Sequence, residues 1–466
     1  MDELQQWVNK DAVYLISAVL FIVGIKMLSS PESAALGNYL SALAMVLAVG
    51  VTLLQGGITD FRWIAIGMAI GAIIGFAASR LVKMTAMPQM VAIYNGLGGA
   101  ASALVAISEF LRLQGQLAPF LTIVILLSLF VGTLTLSGSL VAFAKLQELV
   151  SGQPVVFPLQ HPINLLGILG ALGCGVWLVF HPGGMEYFWI VAGVALVLGV
   201  LVVIPIGGAD MPVVIALLNS YSGIAVSLTG FVLENNVLII SGSLVGASGI
   251  FLTTEMCKAM NRSIWNVLFG GFGLTAEGAP APATEIPGGG AVKSYSVEDA
   301  VTIMENSSSV VFVPGYGMAA ARAQHQVREL GDALEARGID VKYAIHPVAG
   351  RMPGHMNVLL AEANVPYDLL KDMDEINDEF KHTDVALVIG ANDVVNPAAN
   401  EDPSSPIYGM PILNVEQSRH VMVLKRSMNP GFAGIENMLF YRENTLMVFG
   451  DARATLSKMV DAISQD

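Results

Sequence analysis

The 466-residue chain is 54% hydrophobic and only 13% charged, with a mean hydropathy of +0.65, a balance that excludes a wholly water-soluble globular protein. Its formal net charge of −14 excludes nucleic acid as a partner, because phosphate recognition needs a basic surface. The charge is segregated, since 24 of the 37 Asp and Glu and 14 of the 23 Lys and Arg follow Ala291, so an apolar, lipid-embedded region precedes an ordinary acidic, soluble one.

The segment Met1 to Asp11 is acidic and has no small-residue cleavage site, so the first apolar run is expected to be retained rather than removed as a signal. Apolar windows near the roughly 20 residues that cross a bilayer fall at 12–29, 36–55, 63–82, 89–109, 118–144, 163–180, 187–206, 211–232 and 237–257. Nine crossings put the two ends of the domain on opposite sides. Lys26, Arg80, Lys83, Lys145, Lys258 and Arg262 flank one side, against Lys10, Arg62 and Arg112 on the other, which places the N-terminus outside and the soluble part in the cytoplasm.

Small residues recur in Gly71-Ala72-Ile73-Ile74-Gly75-Phe76-Ala77-Ala78-Ser79 and Gly242-Ser243-Leu244-Val245-Gly246-Ala247-Ser248-Gly249, a pattern expected to pack helices closely. Polar groups inside lipid are costly and face a partner or water; here they are Asn95, Ser137, Ser139, Asp210 and Asn219. Asn95 and Asn219 either glue helices or line one polar track, and Asp210, just before Pro212, is either a helix cap or the mouth of that track. No His falls in the middle of an apolar window, so the side chain that titrates most readily near neutral pH is missing there. Cys174 and Cys257 sit in neither a CxxC nor a His-bearing spacing, and neither a disulfide nor a metal site is expected.

A Pro/Ala/Gly-rich stretch at 266–292 reads as a flexible tether between a membrane domain at 1–265 and a soluble domain at 293–466. In the latter, β-rich runs at 309–313, 341–345, 385–389 and 421–424 alternate with helical patterns such as 319–336. The expected fold is therefore a multi-span α-helical membrane domain of about nine transmembrane helices, followed by a Rossmann-like, doubly wound parallel α/β sheet.

Ligands of such sheets bind at the carboxyl ends of the strands. Four ends carry distinctive residues: Gly315-Tyr316-Gly317, His346 to Arg351, Gly390-Ala391-Asn392-Asp393 and Lys425-Arg426-Ser427. The first belongs to a GxGxxA turn, Gly315-Tyr316-Gly317-Met318-Ala319-Ala320, placed between a strand and a helix as a dinucleotide site requires. Where an NAD site of the usual type holds a ribose 2′-hydroxyl with Asp or Glu, the second strand ends in His346, and Lys425, Arg426 and Ser427 supply the charge and hydroxyl that a 2′-phosphate needs. Asp393 serves either as an Asx turn or as a contact to the nicotinamide amide. The five acidic residues Asp372, Asp374, Glu375, Asp378 and Glu379 form either a solvated loop or a charged docking surface.

These strings, together with Gly207-Gly208-Ala209-Asp210-Met211-Pro212, Leu218-Asn219-Ser220-Tyr221-Ser222-Gly223, Cys257 to Arg262 and Pro353 to Glu362, resemble the β subunit family of proton-translocating NAD(P) transhydrogenases over essentially the whole chain. The resemblance implies an oxidoreductase and translocase that passes hydride between NADH and NADP+. NADP(H) would be bound here and NAD(H) on an α-type partner subunit with extra transmembrane helices, the α/β unit being dimeric in the inner, or cell, membrane. By position it makes Gly315, Tyr316, Gly317, Met318, Ala319 and Ala320 the nucleotide turn and Lys425, Arg426 and Ser427 the 2′-phosphate grip. Gly350, Pro353, Gly390, Asn392, Asn396 and Gly431 complete the cofactor contacts, and Asp393 with His346 and Arg351 makes the nicotinamide-side cluster. Asn95, Ser139, Asp210 and Asn219 fall on the proton route. Two positions depart from the family pattern: Asn95 stands where many members place His, and Phe432 where many place Tyr. An amide relays hydrogen bonds but holds no proton near neutral pH, so a His beside Asn95 is expected from the partner. The alternative, a transporter with a nucleotide-sensing domain, calls for a selectivity signature such as TVGYG, which the sequence lacks.

Overall fold

The computed structural model describes residues 10–54, 60–83, 86–113, 118–151, 154–181, 183–260, 263–269, 292–352, 354–405, 407–431 and 434–465. Arg262, Pro353, Phe432 and positions 270–291 of the expected tether lie outside them. The chain divides into two compact units, one of long apolar helices and one built on a parallel sheet.

In hydrocarbon every backbone N–H and C=O must be paired within the segment, which makes helices the available form for single apolar runs. The long apolar helices are α1 (Lys10–Met27), α2 (Pro31–Leu54), α3 (Arg62–Leu81), α4 (Met87–Leu113), α5 (Pro119–Leu146), α6 (Gln160–Phe180), α7 (Met185–Val203), α8 (Met211–Val232) and α9 (Asn236–Ala259). Among the described residues, the eight from α2 to α9 are long and apolar enough to cross a membrane. The first expected window is also helical, but α1 has 18 residues and carries Lys10, Asp11 and Lys26 at its ends.

Close packing follows the small residues at some places and not at others. A Cβ on Gly99 of α4 would stand 2.6 Å from the Gly132 carbonyl of α5, and one on Gly132 would stand 2.5 Å from the Gly99 carbonyl, so the two backbones touch. The 242–249 stripe packs α9 on α8 as expected, Gly223 approaching within 2.4 Å of the Gly246 nitrogen by the same measure. The 71–79 stripe does not: α3 has no buried residue, and among the described residues nothing lies within 4 Å of the Cβ positions of Gly67, Gly71 or Gly75. Between α4 and α7, Phe110 stacks on Phe188 at 3.9 Å in a core that includes Ile125, Leu129 and Leu178.

The sheet unit includes α10 (Ile264–Phe269) and α11 (Val297–Glu305), and the start of α11 is a reciprocal cap: Ser296 Oγ accepts from the Asp299 N–H while Asp299 accepts from the Ser296 N–H. This is the pairing that satisfies two orphan donors at a helix start. Six strands follow: β1 (Ser309–Pro314), β2 (Asp340–Ile345), β3 (Leu370–Asp372), β4 (Val385–Ile389), β5 (His420–Lys425) and β6 (Thr445–Phe449). They form one sheet in the order β3-β2-β1-β4-β5-β6, and every pair is parallel. The central strands β1 and β4 are continuous apolar runs rather than alternating ones, and all of Val385 to Ile389 is fully buried, as a sheet covered on both faces requires. Tyr343 on β2 stacks on Phe312 on β1 at 5.1 Å.

The four expected strands are β1, β2, β4 and β5; the edge strands β3 and β6 complete the sheet. The helix expected at 319–336 is two, α12 (Tyr316–Ala321) and α13 (Gln324–Glu335). Arg322 between them is left-handed, with φ +53°, and the Ala323 N–H turns back to the Met318 carbonyl at 3.1 Å, a helix end that a Gly would have announced. The remaining helices are α14 (His355–Glu362), α15 (Met373–Ile376), α16 (Ala398–Glu401) and α17 (Ala452–Gln465). The acidic segment is tied down by an ion pair of Glu379 with Lys342 on β2 and by Asn377, whose Nδ2 donates to the Ile412 carbonyl at 2.9 Å.

Candidate nucleotide site

The strand order reverses between β1 and β4, because β1 leads to β2 on one side and β4 to β5 on the other. Such a switch point opens a crevice beyond the carboxyl ends of the strands. The parallel ladder runs past the strands themselves: the Gly315 N–H donates to the Ile389 carbonyl and the Gly317 N–H to the Gly390 carbonyl, both at 2.9 Å. Gly390 has φ +64°, and a Cβ on it would stand 2.3 Å from Gly317 Cα. The first loop is thus pressed glycine against glycine on the β4 loop. With the Gly315 and Gly317 N–H groups already engaged, what these glycines offer a ligand is room for close approach rather than donors.

The cleft beyond this contact is lined by Gly315, Tyr316, Gly317, Gly350, Gly390, Asn392, Asp393, Lys425, Arg426, Ser427 and Gly431, all expected from sequence. It also takes in Asn429, Pro430 and, at the end of β6, Gly450, Asp451 and Ala452, which sequence reading missed together with β6. A Thr-Leu-Met-Val-Phe run ending in Gly-Asp was the available signal. Met318, Ala319 and Ala320 lie in α12 behind the turn. Arg351 is not among the lining residues; its guanidinium carbon sits 4.4 Å over the Tyr316 ring.

His346 turns away from the cleft. It is 1% exposed, Nε2 lies 2.9 Å from the Pro411 carbonyl, and Nδ1 accepts the Val348 N–H at 3.2 Å. The accepting Nδ1 assigns the ring's proton to Nε2 and makes it neutral, and burial holds its pKa down at about 4. No carboxylate stands in the run Ile345 to Arg351 that follows β2.

Lys425 is half-buried, its Nζ donates to the Asn429 carbonyl and lies 4.9 Å over the Phe440 ring. Burial lowers its pKa, while Asp393 opposes that shift. Arg426 and Ser427 are exposed beside it. A Cβ on Gly431 would stand 2.5 Å from Asp393 Oδ1, so the loop after β5 lies directly against Asp393.

Two buried amides that join the loops bear on this arrangement. Asn396, expected as a cofactor contact, is fully buried and its Nδ2 donates to the Glu436 carbonyl at 3.1 Å. Asn437, which sequence reading missed, accepts the Leu439 N–H and donates from Nδ2 to both the carbonyl and the side-chain Oδ1 of Asn392 at 3.0 Å. Together they latch the β4 loop to the loop that carries Gly431.

In the helical unit, Asn95 Nδ2 donates to the Ile215 carbonyl of α8 at 3.2 Å, and Ser222 Oγ of α8 donates back to the Asn95 carbonyl at 2.8 Å. Asn219 lies between these two contacts on α8 and is half-buried. Ser139 of α5 is fully buried, a Cβ on Gly96 would stand 3.0 Å from its Cβ, and its Oγ has no partner among the described residues. Asn95, Ser139 and the α8 segment bearing Asn219 therefore converge. Asp210 closes the one-turn helix Gly208–Asp210 that leads into α8.

Comparison with known proteins agrees along the whole chain. Residues 10–462 match the family model described as NAD(P) transhydrogenase beta subunit. The NAD(P) transhydrogenase subunit beta of Rhodospirillum rubrum is 51% identical over 460 residues, covering 97% of this chain and 98% of that one, and the same subunit from a named strain of that species matches to the same degree.

Proposed function

The chain belongs to the NAD(P) transhydrogenase beta subunit family, and from that premise we propose that its sheet unit holds NADP(H) while an α-type partner holds NAD(H). It is an oxidoreductase subunit of a multi-pass membrane protein that works with an alpha subunit, hydride transfer being coupled to proton translocation. The observation that carries the division of cofactors is the cleft: a glycine-on-glycine turn, three consecutive residues Lys425, Arg426 and Ser427 at one wall, and no carboxylate after β2. A carboxylate there would repel a 2′-phosphate, and a Lys/Arg/Ser set attracts one.

When bound, NADP(H) would accept or give the hydride at its nicotinamide, in direct exchange with the NAD(H) of the partner. The chain contributes position. Gly315, Gly317 and Gly390 admit the pyrophosphate, Lys425, Arg426 and Ser427 hold the 2′-phosphate, and Asp393, under Gly431, orients the nicotinamide end. In assembled enzyme, Lys425→Gln and Arg426→Gln are each expected to weaken NADP(H) binding about tenfold or more, the worth of a charge-assisted hydrogen bond. Binding of the same nucleotide without its 2′-phosphate should stay unchanged. Equal losses for both nucleotides in equilibrium dialysis would remove these residues from the 2′-phosphate.

The proton route runs, in this reading, through Asn95, Ser139, Asn219 and Asp210, with a His from the partner's helices beside Asn95 as the titrating group. The excess of positive loops on one side supports a cytoplasmic sheet unit and an N-terminus outside, and the proposed assembly is a dimer of the α/β unit. Asn95→Ala removes the donor to Ile215 and is expected to slow proton uptake in proteoliposomes roughly tenfold while NADP(H) binding persists. A partner whose spans lack any ionisable residue would refute the shared-His route.

A further inference from the structure

We propose that His355 is a positioning residue of the nucleotide cleft: its imidazole Nδ1 holds the backbone of Arg351 so that the guanidinium lies on the Tyr316 ring and braces the glycine turn. The inference rests on the reading of the cleft as the NADP(H) site and adds to it a residue that contacts no nucleotide.

Its geometry is a short chain of contacts. His355, the first residue of α14, is 1% exposed. Its Nδ1 accepts the Arg351 N–H at 3.0 Å. Gly350, which lines the cleft, has φ +110°, and a Cβ on it would stand 2.4 Å from the same Nδ1, so the loop crosses directly over the imidazole edge. Arg351 then places its guanidinium carbon 4.4 Å over the ring of Tyr316, inside the GxGxxA turn. A guanidinium stacked on an aromatic face is attracted to the ring's negative π cloud, so the position of Arg351 restrains that of the Tyr316 ring.

The acceptor must be neutral, because a protonated Nδ1 would point a hydrogen at the Arg351 N–H. Burial, aided by the Arg351 charge, keeps the imidazole pKa at about 4, so the acceptor persists at working pH. Nε2 has no partner among the described residues; the residue is used through one nitrogen. An apolar side chain of similar size would fill the space but take the acceptor away from the partly buried Arg351 N–H, freeing that backbone to move. Asn carries its Oδ1 at the same branch position as Nδ1, whereas Gln carries its oxygen one bond further out.

The test measures NADP(H) KM and kcat in the assembled enzyme for His355→Leu, His355→Asn, His355→Gln, Arg351→Ala and the double variant of His355→Leu with Arg351→Ala, with the thermal midpoint of each. The expected result is a roughly tenfold higher KM in His355→Leu and His355→Gln at nearly constant kcat. His355→Asn should restore the KM, and the double variant should be no worse than Arg351→Ala alone. Equal defects in His355→Asn and His355→Leu, or multiplying defects in the double variant, would overturn the proposal. Should His355→Leu fail to fold, the contrast between His355→Asn and His355→Gln decides alone. NADP(H) binding that survives Lys425→Gln and Arg426→Gln intact would instead defeat the reading of the cleft, separately from the role of His355.

Discussion

Gly390→Ala is expected to eliminate NADP(H) binding and to destabilise the sheet unit by more than about 3 kcal/mol. Two costs combine at this residue. Its φ of +64° strains any side chain, and the added Cβ would stand 2.3 Å from Gly317 Cα, 2.7 Å from its carbonyl carbon and 2.8 Å from its nitrogen. All three are backbone atoms of the opposite loop, which no rotamer change can move. Gly338 is the internal control: its φ is +81° but nothing lies within 4 Å of its Cβ position, so Gly338→Ala should show the backbone cost alone, about 1 kcal/mol. Thermal and denaturant unfolding of the two variants decides the point, and equal losses would mean that the contact between the loops is not what requires glycine.

Acidification from pH 7.5 to 4.5 is expected to remove about 2 to 3 kcal/mol of native stability for each of two histidines, His346 and His355. Each has a folded pKa of about 4 against an ordinary 6.5, depressed first by burial. A depressed histidine makes the unfolded chain the better proton binder, so stability is complete above about pH 6.5 and drains away as pH falls toward 4. Asp372 and Glu416, whose carboxyls burial pushes up, act in the opposite sense and trim the effect. His346→Gln keeps a donor for the Pro411 carbonyl, without a titrating group, and should flatten the slope. An unaltered pH dependence of unfolding in that variant would show that His346 is not its source.

The glycine turn shows how far local pattern reaches. Val311 to Ala320 announced a strand, a tight turn and a helix start, since a buried apolar run and two glycines two apart are local signals, and the structure has all three. It did not announce Arg322, which adopts φ +53° without being glycine and splits the expected helix. The edge strand β3 is three residues long with two of them charged, too short a run to announce itself, whereas β6 carries a five-residue, mostly apolar run that local pattern did expose. Gly71 to Ser79 has the same small-residue spacing as Gly242 to Gly249, yet among the described residues only the second sets its glycines against another helix. Spacing records that a close approach is possible, not which helix makes it.

By itself the sequence determined the class of protein and the chemistry of its groups: apolar helices long enough for a bilayer, a parallel α/β domain after them, a GxGxxA turn, and a Lys-Arg-Ser set with no carboxylate to match. These are consequences of composition, local period and side-chain chemistry, each confined to a few neighbouring residues. Only the tertiary structure decided which loops meet. It pressed Gly390 on Gly317, latched Asn437 to Asn392, turned His346 inward to Pro411 and put His355 under Arg351. Those pairings join residues distant along the chain, and they are selected by the strand order and by the need of every buried donor for an acceptor, which no short window of sequence contains.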